Sequence, residues 1–331
     1  MKELSIIVPV YNGEEFIDNC IKNLEKTKLI DFEIVIVNDG STDNTDNKIK
    51  NIITKYKNIV YIKNKKNTGV SNCRNIGIKA SNGNYITFID VDDTINPYAY
   101  SNMVDFLKSR NADVVVCNYI ELEQDTKLKT NSKYKYSFDE LNKEDTIKKY
   151  LTDKISPSSC DKVYKKELLE KLKFNSNLQI GEDLLFCLNV FLKSNKNCFM
   201  NKYYYTYYRQ NSSAMHRVSK YLTQFKDVIN YIKPKDIKYF ENNYKKEFEF
   251  FKLQMITRGI HSMSNLSNKK NKEEITNLLK DYYTKKDLNN IIKCKYFPRN
   301  IKLEMFILKV FGVKFHLFMT PLYKRIKSKV R

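Results

Sequence analysis

Gly83-Asn84-Tyr85-Ile86-Thr87-Phe88-Ile89-Asp90-Val91-Asp92-Asp93-Thr94-Ile95-Asn96 is the stretch that decides how this chain is read. Tyr85 to Ile89 is a β-branched and aromatic run of strand length, the pattern of a buried strand. It breaks into three carboxylates, Asp90, Asp92 and Asp93, at the strand's carboxyl end, the edge at which open α/β sheets bind ligands. Hard oxygen donors of this kind suit Mg2+ or Mn2+, with ligand phosphates completing the coordination. The same residues also read as a polar loop before a helix, with Asp93 or Asn96 as its cap, so the flanking sequence has to decide.

Toward the N-terminus the rhythm is strand, helix, strand. Leu4 to Val10 is a continuous apolar run, followed by the turn Tyr11-Asn12-Gly13 and by Phe16, Ile17, Cys20, Ile21 and Leu24 at helical spacing. Phe32 to Val37 is a second buried strand ending in Asn38-Asp39-Gly40-Ser41-Thr42-Asp43, with Asp43 or Thr45 available to cap the next helix. Ile59 to Ile62 is a third strand. A glycine turn, Asn67-Thr68-Gly69, then opens a helix running to Ala80. This βαβαβαβ order predicts a mostly parallel sheet with right-handed crossovers, on whose carboxyl edge three polar loops converge. A Gly-x-Gly-x-x-Gly fingerprint and a Walker A loop are both absent, which argues against dinucleotide and P-loop sites. What remains is a nucleotide site with acidic residues for the base, the ribose and a metal.

Toward the C-terminus, Asn96-Pro97 is expected to start a helix running to Arg110, with Pro at its first position. Val114 to Asn118 is a strand, followed by a Lys-rich excursion or hairpin. Residues 138–152 read as a short helix, and Ser159 to Tyr164 as a lead-in to a helix over Lys165 to Leu172. Ile180-Gly181-Glu182-Asp183 precedes an apolar helical run, and Phe199 to Tyr208 is an aromatic strand. Beyond residue 217 apolar residues recur among Lys at helical spacing, predicting a helical unit over 217–331. Its tail, residues 301–331, mixes apolar clusters with eight Lys or Arg against a single Glu. That composition suits a helix in an anionic membrane interface, or a terminal helix packed on a core with a solvated basic face.

A net charge of +21 calls for an anionic partner, whether nucleic acid, membrane or phosphorylated small molecule. No nucleic-acid-binding module is recognisable, so nucleic acid is not expected. The seven cysteines are scattered and lack a Cys-x-x-Cys pair, which fits reduced thiols in a cytoplasmic protein. No run is long enough for a membrane-spanning helix, and no signal peptide is expected before a chain that opens directly on a strand.

Taken together, Ser5-Ile6-Ile7-Val8-Pro9-Val10-Tyr11-Asn12, Glu33 to Asp43, Asn67-Thr68-Gly69-Val70-Ser71 with Arg74-Asn75, Ile89 to Asp93 and Gly181-Glu182-Asp183 closely resemble family 2 glycosyltransferases. The resemblance covers residues 4–215 with all five motifs in order. It implies the GT-A fold: an α/β, Rossmann-like, mostly parallel central sheet flanked by helices, here with an appended α-helical C-terminal unit. The glycosyltransferase domain would span 1–216, with a nucleotide-sugar half over 1–95 and an acceptor half over 96–216.

The resemblance also implies residue roles. Pro9 and Tyr11 would line the base pocket, and Asp39 would accept from the base. Asn67, Gly69 and Val91 would belong to the nucleotide-sugar site. Arg74 would contact the diphosphate or hold the acidic loop, Asp90 would bind ribose, and Asp92 a Mn2+ or Mg2+ ion, with His216 as a further candidate metal ligand. Asp93, Glu182, Arg209 and Ser212 would contact acceptor or diphosphate, and Asp183 would be the base of an inverting transfer. The expected partners are a UDP-sugar donor and a glycan or lipid-linked acceptor in cell-surface polysaccharide synthesis. The basic tail would hold the enzyme peripherally at the anionic inner face of the membrane, and the helical unit could pair copies of the chain. Two other readings stay open: a sugar-phosphate nucleotidyltransferase, against which the acidic Tyr11-Asn12-Gly13-Glu14-Glu15 loop argues, and a non-catalytic membrane-associated assembly protein with a degenerate fold.

Overall fold

A computed structural model describes residues 2–28, 31–123, 127–209, 223–266 and 272–329. The chain divides into two compact units. One comprises 1–150 and 154–210, and the other 151–153 and 211–331.

The first unit is built on one ten-stranded sheet. Its N-terminal half has four parallel strands in the order β3 (Ile59–Lys63), β2 (Phe32–Asn38), β1 (Leu4–Val10) and β4 (Tyr85–Phe88). Every residue of β1 and β2 is buried, which is why both read as dense apolar runs rather than alternating ones, with Ser5 and Glu33 satisfied by a hydrogen bond to each other. The crossovers are α1 (Ile17–Leu24), α2 (Thr45–Ile53) and α3 (Val70–Ala80). Asp43 Oδ1 accepts from the Thr45 amide at the start of α2. Helix α3 lies close on β1, because a Cβ at Gly77 would sit 2.4 Å from an Ile7 side-chain carbon. The βαβαβαβ reading holds throughout this half.

The other half departs from the sequence reading in its short elements. Thr94–Ile95 forms strand β5, antiparallel to the long strand β10 (Lys196–Arg209), and Asn96 N donates to Tyr204 O. Extended backbone before Pro97 delays α4 to Ala99–Arg110, two residues after the expected first position at Pro97. Strand β6 (Val114–Glu123) turns back on β7 (Lys129–Asn131), so the Lys-rich excursion is a hairpin. Residues expected to open a helix instead form β8 (Glu140–Asn142) on β10, ahead of α5 (Lys143–Leu151).

The largest correction concerns Ser159 to Leu172. Lys162–Lys165 is strand β9, inserted antiparallel between β4 and β6, and α6 is a single turn, Lys166–Leu169. Val163 and Tyr164 fill the sheet slot and are fully buried. Helix α7 (Glu182–Lys193) follows Gly181, whose φ of 86° is a conformation that side chains with a Cβ rarely adopt.

Within the second unit, α8 (Gln224–Asn230), α9 (Pro234–Asn243), α10 (Lys245–Leu266), α11 (Lys272–Tyr282), α12 (Lys285–Lys293) and α13 (Arg299–Lys329) surround a core that includes Phe240, Phe248, Phe251, Met263 and Leu279. Helix α13 is interrupted at Gly312 (φ 77°, ψ 178°). Met305, Leu308, Val313 and Leu317 are buried, whereas Leu303, Phe306, Val310, Phe311, Phe315 and Phe318 are exposed. Up to residue 320 the tail thus has a buried apolar side and an exposed apolar one. No described helix is long and apolar enough to cross a membrane.

Candidate functional site

At the carboxyl ends of β1, β2 and β4 the three polar loops come together as expected. Asn12 Oδ1 accepts from the Thr42 amide, the Gly13 amide donates to Thr45, and Glu14 accepts from the Asn44 amide, tying the first loop to the second. Tyr11 projects at this edge, 46% exposed, while Pro9 is buried within β1 opposite Val37. Val91 packs 3.4 Å from the position a Cβ on Gly13 would take, joining the first loop to the acidic one.

Asp39 is 3% exposed. Its carboxylate accepts from Asn64 Nδ2, the Thr68 amide and hydroxyl, and the Gly69 amide at 2.7–3.0 Å. Burial alone would raise its pKa; these donors outweigh burial and hold it below the usual carboxylate range. Asp39 therefore secures the turn at the start of α3, with Asn67 exposed beside it.

The acidic loop divides its carboxylates three ways. Asp90 Oδ1 accepts from Arg74 Nη2 at 2.9 Å. Burial and the neighbouring Asp90 charge push Asp92 up to about 6. Asp93, expected to contact acceptor or diphosphate, instead is 2% exposed and ties the loop to β10, accepting from the Tyr205 hydroxyl and, at 2.9 Å, from the Tyr208 amide. That carboxylate holds the sheet together and does not reach the open edge.

Arg74 is the hub. Only 3% exposed, it reaches Asp183 Oδ1 at 2.7 Å, Asp90 at 2.9 Å and Glu182 at 3.5 Å. Its guanidinium lies 5.3 Å from the Phe174 ring centroid, and Phe174 stacks on Phe186 at 3.7 Å. Of the two expected uses of Arg74, the described geometry displays the hold on the acidic loop, extended to a carboxylate 109 residues away. Asp183 keeps a quarter of its side chain accessible and also accepts from the Ser159 amide (3.1 Å) and hydroxyl (3.0 Å). Burial and the charge of Asp183 raise the Glu182 pKa against the pull of Arg74. Arg209 is exposed and pairs with Glu121 at 3.7 Å. Ser212 and His216 lie outside the described residues.

Ser159 was not singled out from sequence; its only signal is a serine-rich turn placed before a buried strand. Asp92 fits a Mg2+ or Mn2+ site of the kind held by one or two carboxylates plus a ligand's phosphates. The like-charge pair of Asp90 and Asp92, with one member pushed toward neutrality by burial, is the arrangement a bound cation would relieve. Among the described residues no three His, Cys, Asp or Glu side chains form an all-protein cage.

Fold and edge define a GT-A type α/β protein with an acidic carboxyl edge. The model of Glycosyl transferase family 2 matches residues 5–173, and the chain belongs to that family. Among relatives, poly(ribitol-phosphate) beta-N-acetylglucosaminyltransferase TarP of Staphylococcus aureus is 32% identical over 216 residues, 63% of this chain and 62% of TarP. S. aureus TarS in complex with UDP-GlcNAc superposes with a TM-score of 0.67 at 19% identity, covering 98% of this chain and 92% of that structure. The mannosyltransferase PcManGT from Pyrobaculum calidifontis, in complex with GDP-Man and Mn2+, superposes at 0.53 with 14% identity over 93% and 87%. These two likenesses are likenesses of fold. The chain spans between 32% and 64% of the length of the first curated relatives it matches.

Proposed function

We propose that this chain is an inverting, metal-dependent glycosyltransferase that moves a sugar from a UDP-sugar to a hydroxyl of a glycan or lipid-linked acceptor in cell-surface polymer synthesis. The observation that carries this reading is Asp183: a partly accessible carboxylate, fixed by Arg74 and Ser159, linked through Arg74 to the acidic loop. The UDP-GlcNAc seen with TarS and the acceptor named for TarP support the donor and polymer classes.

In this reading Tyr11 offers its exposed ring to the uracil, beside Pro9. Asp39 accepts from the base once Asn64 or another of its present donors gives way. Asn67, Gly69 and Val91 flank the nucleotide, and Asp90 takes the ribose. Asp92 would hold the Mg2+ or Mn2+, with His216 as a second candidate ligand. When bound, the cation supplies charge neutralisation to the departing diphosphate. Asp183 accepts the proton of the acceptor hydroxyl as its oxygen bonds to the anomeric carbon, while the bond from that carbon to the diphosphate oxygen breaks. Glu182 meets the acceptor sugar, and Arg209 and Ser212 meet the diphosphate. Asp183→Asn is isosteric and retains one of the two acceptor oxygens that Arg74 and Ser159 meet. It should leave UDP binding unchanged and lower UDP release from UDP-GlcNAc by about 100-fold or more; normal turnover would overturn the assignment.

The exposed row on α13, with Lys309 and Lys314 exposed beside it, is our candidate for an anionic membrane surface at the cytoplasmic face, where reduced cysteines are at home. Phe306, Phe311 and Phe318 replaced together by Ser should abolish sedimentation with phosphatidylglycerol vesicles. Unchanged sedimentation, or a mass that rises with concentration without vesicles, would assign this face to something other than lipid.

A further inference from the structure

Behind Asp183 lies a fully buried ion pair that the transfer reaction does not use. Lys162 stands on β9 opposite Val116, and neither Lys162 nor Asp161 is more than 1% exposed. The ammonium has three protons, and three acceptors receive them: Ser156 O at 2.9 Å, Ser158 O at 2.6 Å and Asp161 Oδ1 at 2.6 Å. A buried ammonium is tolerated only when satisfied in this way. Two of its three bonds go to backbone carbonyls of one short turn. The next residue of that turn, Ser159, turns its amide and hydroxyl on Asp183. Other bonds tighten the turn, from the Cys160 amide to Ser158 Oγ and from the Tyr164 hydroxyl to Ser159 O.

We propose that Lys162 is a positioning residue for the base: its ammonium fixes the Ser156–Ser158 carbonyls and thereby aims both Ser159 donors at Asp183. Its importance for catalysis rests on the reading of Asp183 as the base; the positioning itself does not. Buried Lys at this point serves better than an apolar residue because it donates to two carbonyls of the turn, and the Ser158 carbonyl receives besides it the weaker donor of the Cys187 thiol. The chain of action is short: β9 carries Lys162, Lys162 holds the turn, and the turn presents Ser159. Arg74 reaches Asp183 from α3, and Glu182 adjoins it on α7, so the Ser159 pair supplies the neutral half of a mixed set of donors.

The test reads Asp183 directly through its 13C-carboxyl NMR resonance in the full chain at one fixed pH, since that resonance moves when a hydrogen-bond donor to the carboxylate is lost. Lys162→Met alone strands the Asp161 charge and risks misfolding. The working variant is therefore the Asp161→Asn/Lys162→Met pair, with Ser159→Ala as a reference that removes the hydroxyl directly. Both are expected to displace the Asp183 resonance in the same direction, and combining them should displace it by less than the sum of the two. A role confined to stability would lower the melting temperature of the charge-free variant and leave the resonance in place, which overturns the proposal. Turnover of Asp183→Asn is the separate control: its survival removes the base reading while the resonance still judges the positioning.

Discussion

Asp39 and Asp92 stand at the ends of two parallel strands of one sheet, and the fold treats them in opposite ways. Asp39 collects donors from Asn64, Thr68 and Gly69, and its pKa falls. Asp92 sits beside another carboxylate, and its pKa rises to about 6. One acid stabilises the fold; the other is kept at an electrostatic cost. Groups held in the unfavourable state concentrate where binding or chemistry repays the cost. The contrast separates a carboxylate whose charge the surrounding donors stabilise from one whose charge they do not.

Substitutions can break that contrast. The largest effect is expected on turnover: under the proposed function, Asp92→Asn should reduce Mn2+-dependent UDP release from the UDP-sugar that the wild type turns over by about 100-fold or more, since charge on the departing diphosphate is then unrelieved. A loss no larger than a few fold would place the metal elsewhere. Next is stability. Asp39→Ala leaves several buried donors without their charged acceptor and should destabilise the protein by about 3 kcal/mol in urea unfolding. Asp92→Asn should act with the opposite sign, stabilising the ligand-free protein by on the order of 1–2 kcal/mol at pH 7.

The smallest effect is a pH slope. The folded state binds the Asp92 proton more tightly than the unfolded chain does. Stability is therefore lost as pH rises from about 3.9 to the folded value near 6, and Asp92→Asn should abolish that slope. Asp39 contributes the reverse: its stabilisation is complete above the unfolded value and is lost as pH falls through its lowered folded one. Parallel slopes in the wild type and Asp92→Asn would show that Asp92 is not held at a cost.

The same contrast explains what the sequence could disclose. Strands β1, β2 and β4 were legible because a strand inside a parallel sheet is buried on both faces and reads as a dense apolar run, and the half-buried β3 because Ile59 to Ile62 is apolar throughout. Strands β5, β8 and β9 are two to four residues long and owe their state to neighbours, not to local pattern. The converging loops were legible from their place after strands. The division of labour within them was not. That Asp93 ties β10 through Tyr205 and Tyr208 depends on residues more than a hundred positions away, as does the hold of Arg74 on Asp183. Likewise Ser159 acquires its role only because the single strand β9, missed in the linear reading, carries it to the start of α7.

The claim at the centre of this account is that the acidic edge receives a nucleoside diphosphate through a cation at Asp92. It is tested most directly by the melting temperature of the wild-type chain with UDP, with and without Mn2+, beside Asp92→Asn and Asp183→Asn. At 100 times the dissociation constant, a ligand specific to the folded state adds about 2.7 kcal/mol of stability. The expected result is a rise with UDP that requires Mn2+, persists in Asp183→Asn and disappears in Asp92→Asn. A rise of equal size without the metal or in Asp92→Asn, or no response to UDP, would contradict it.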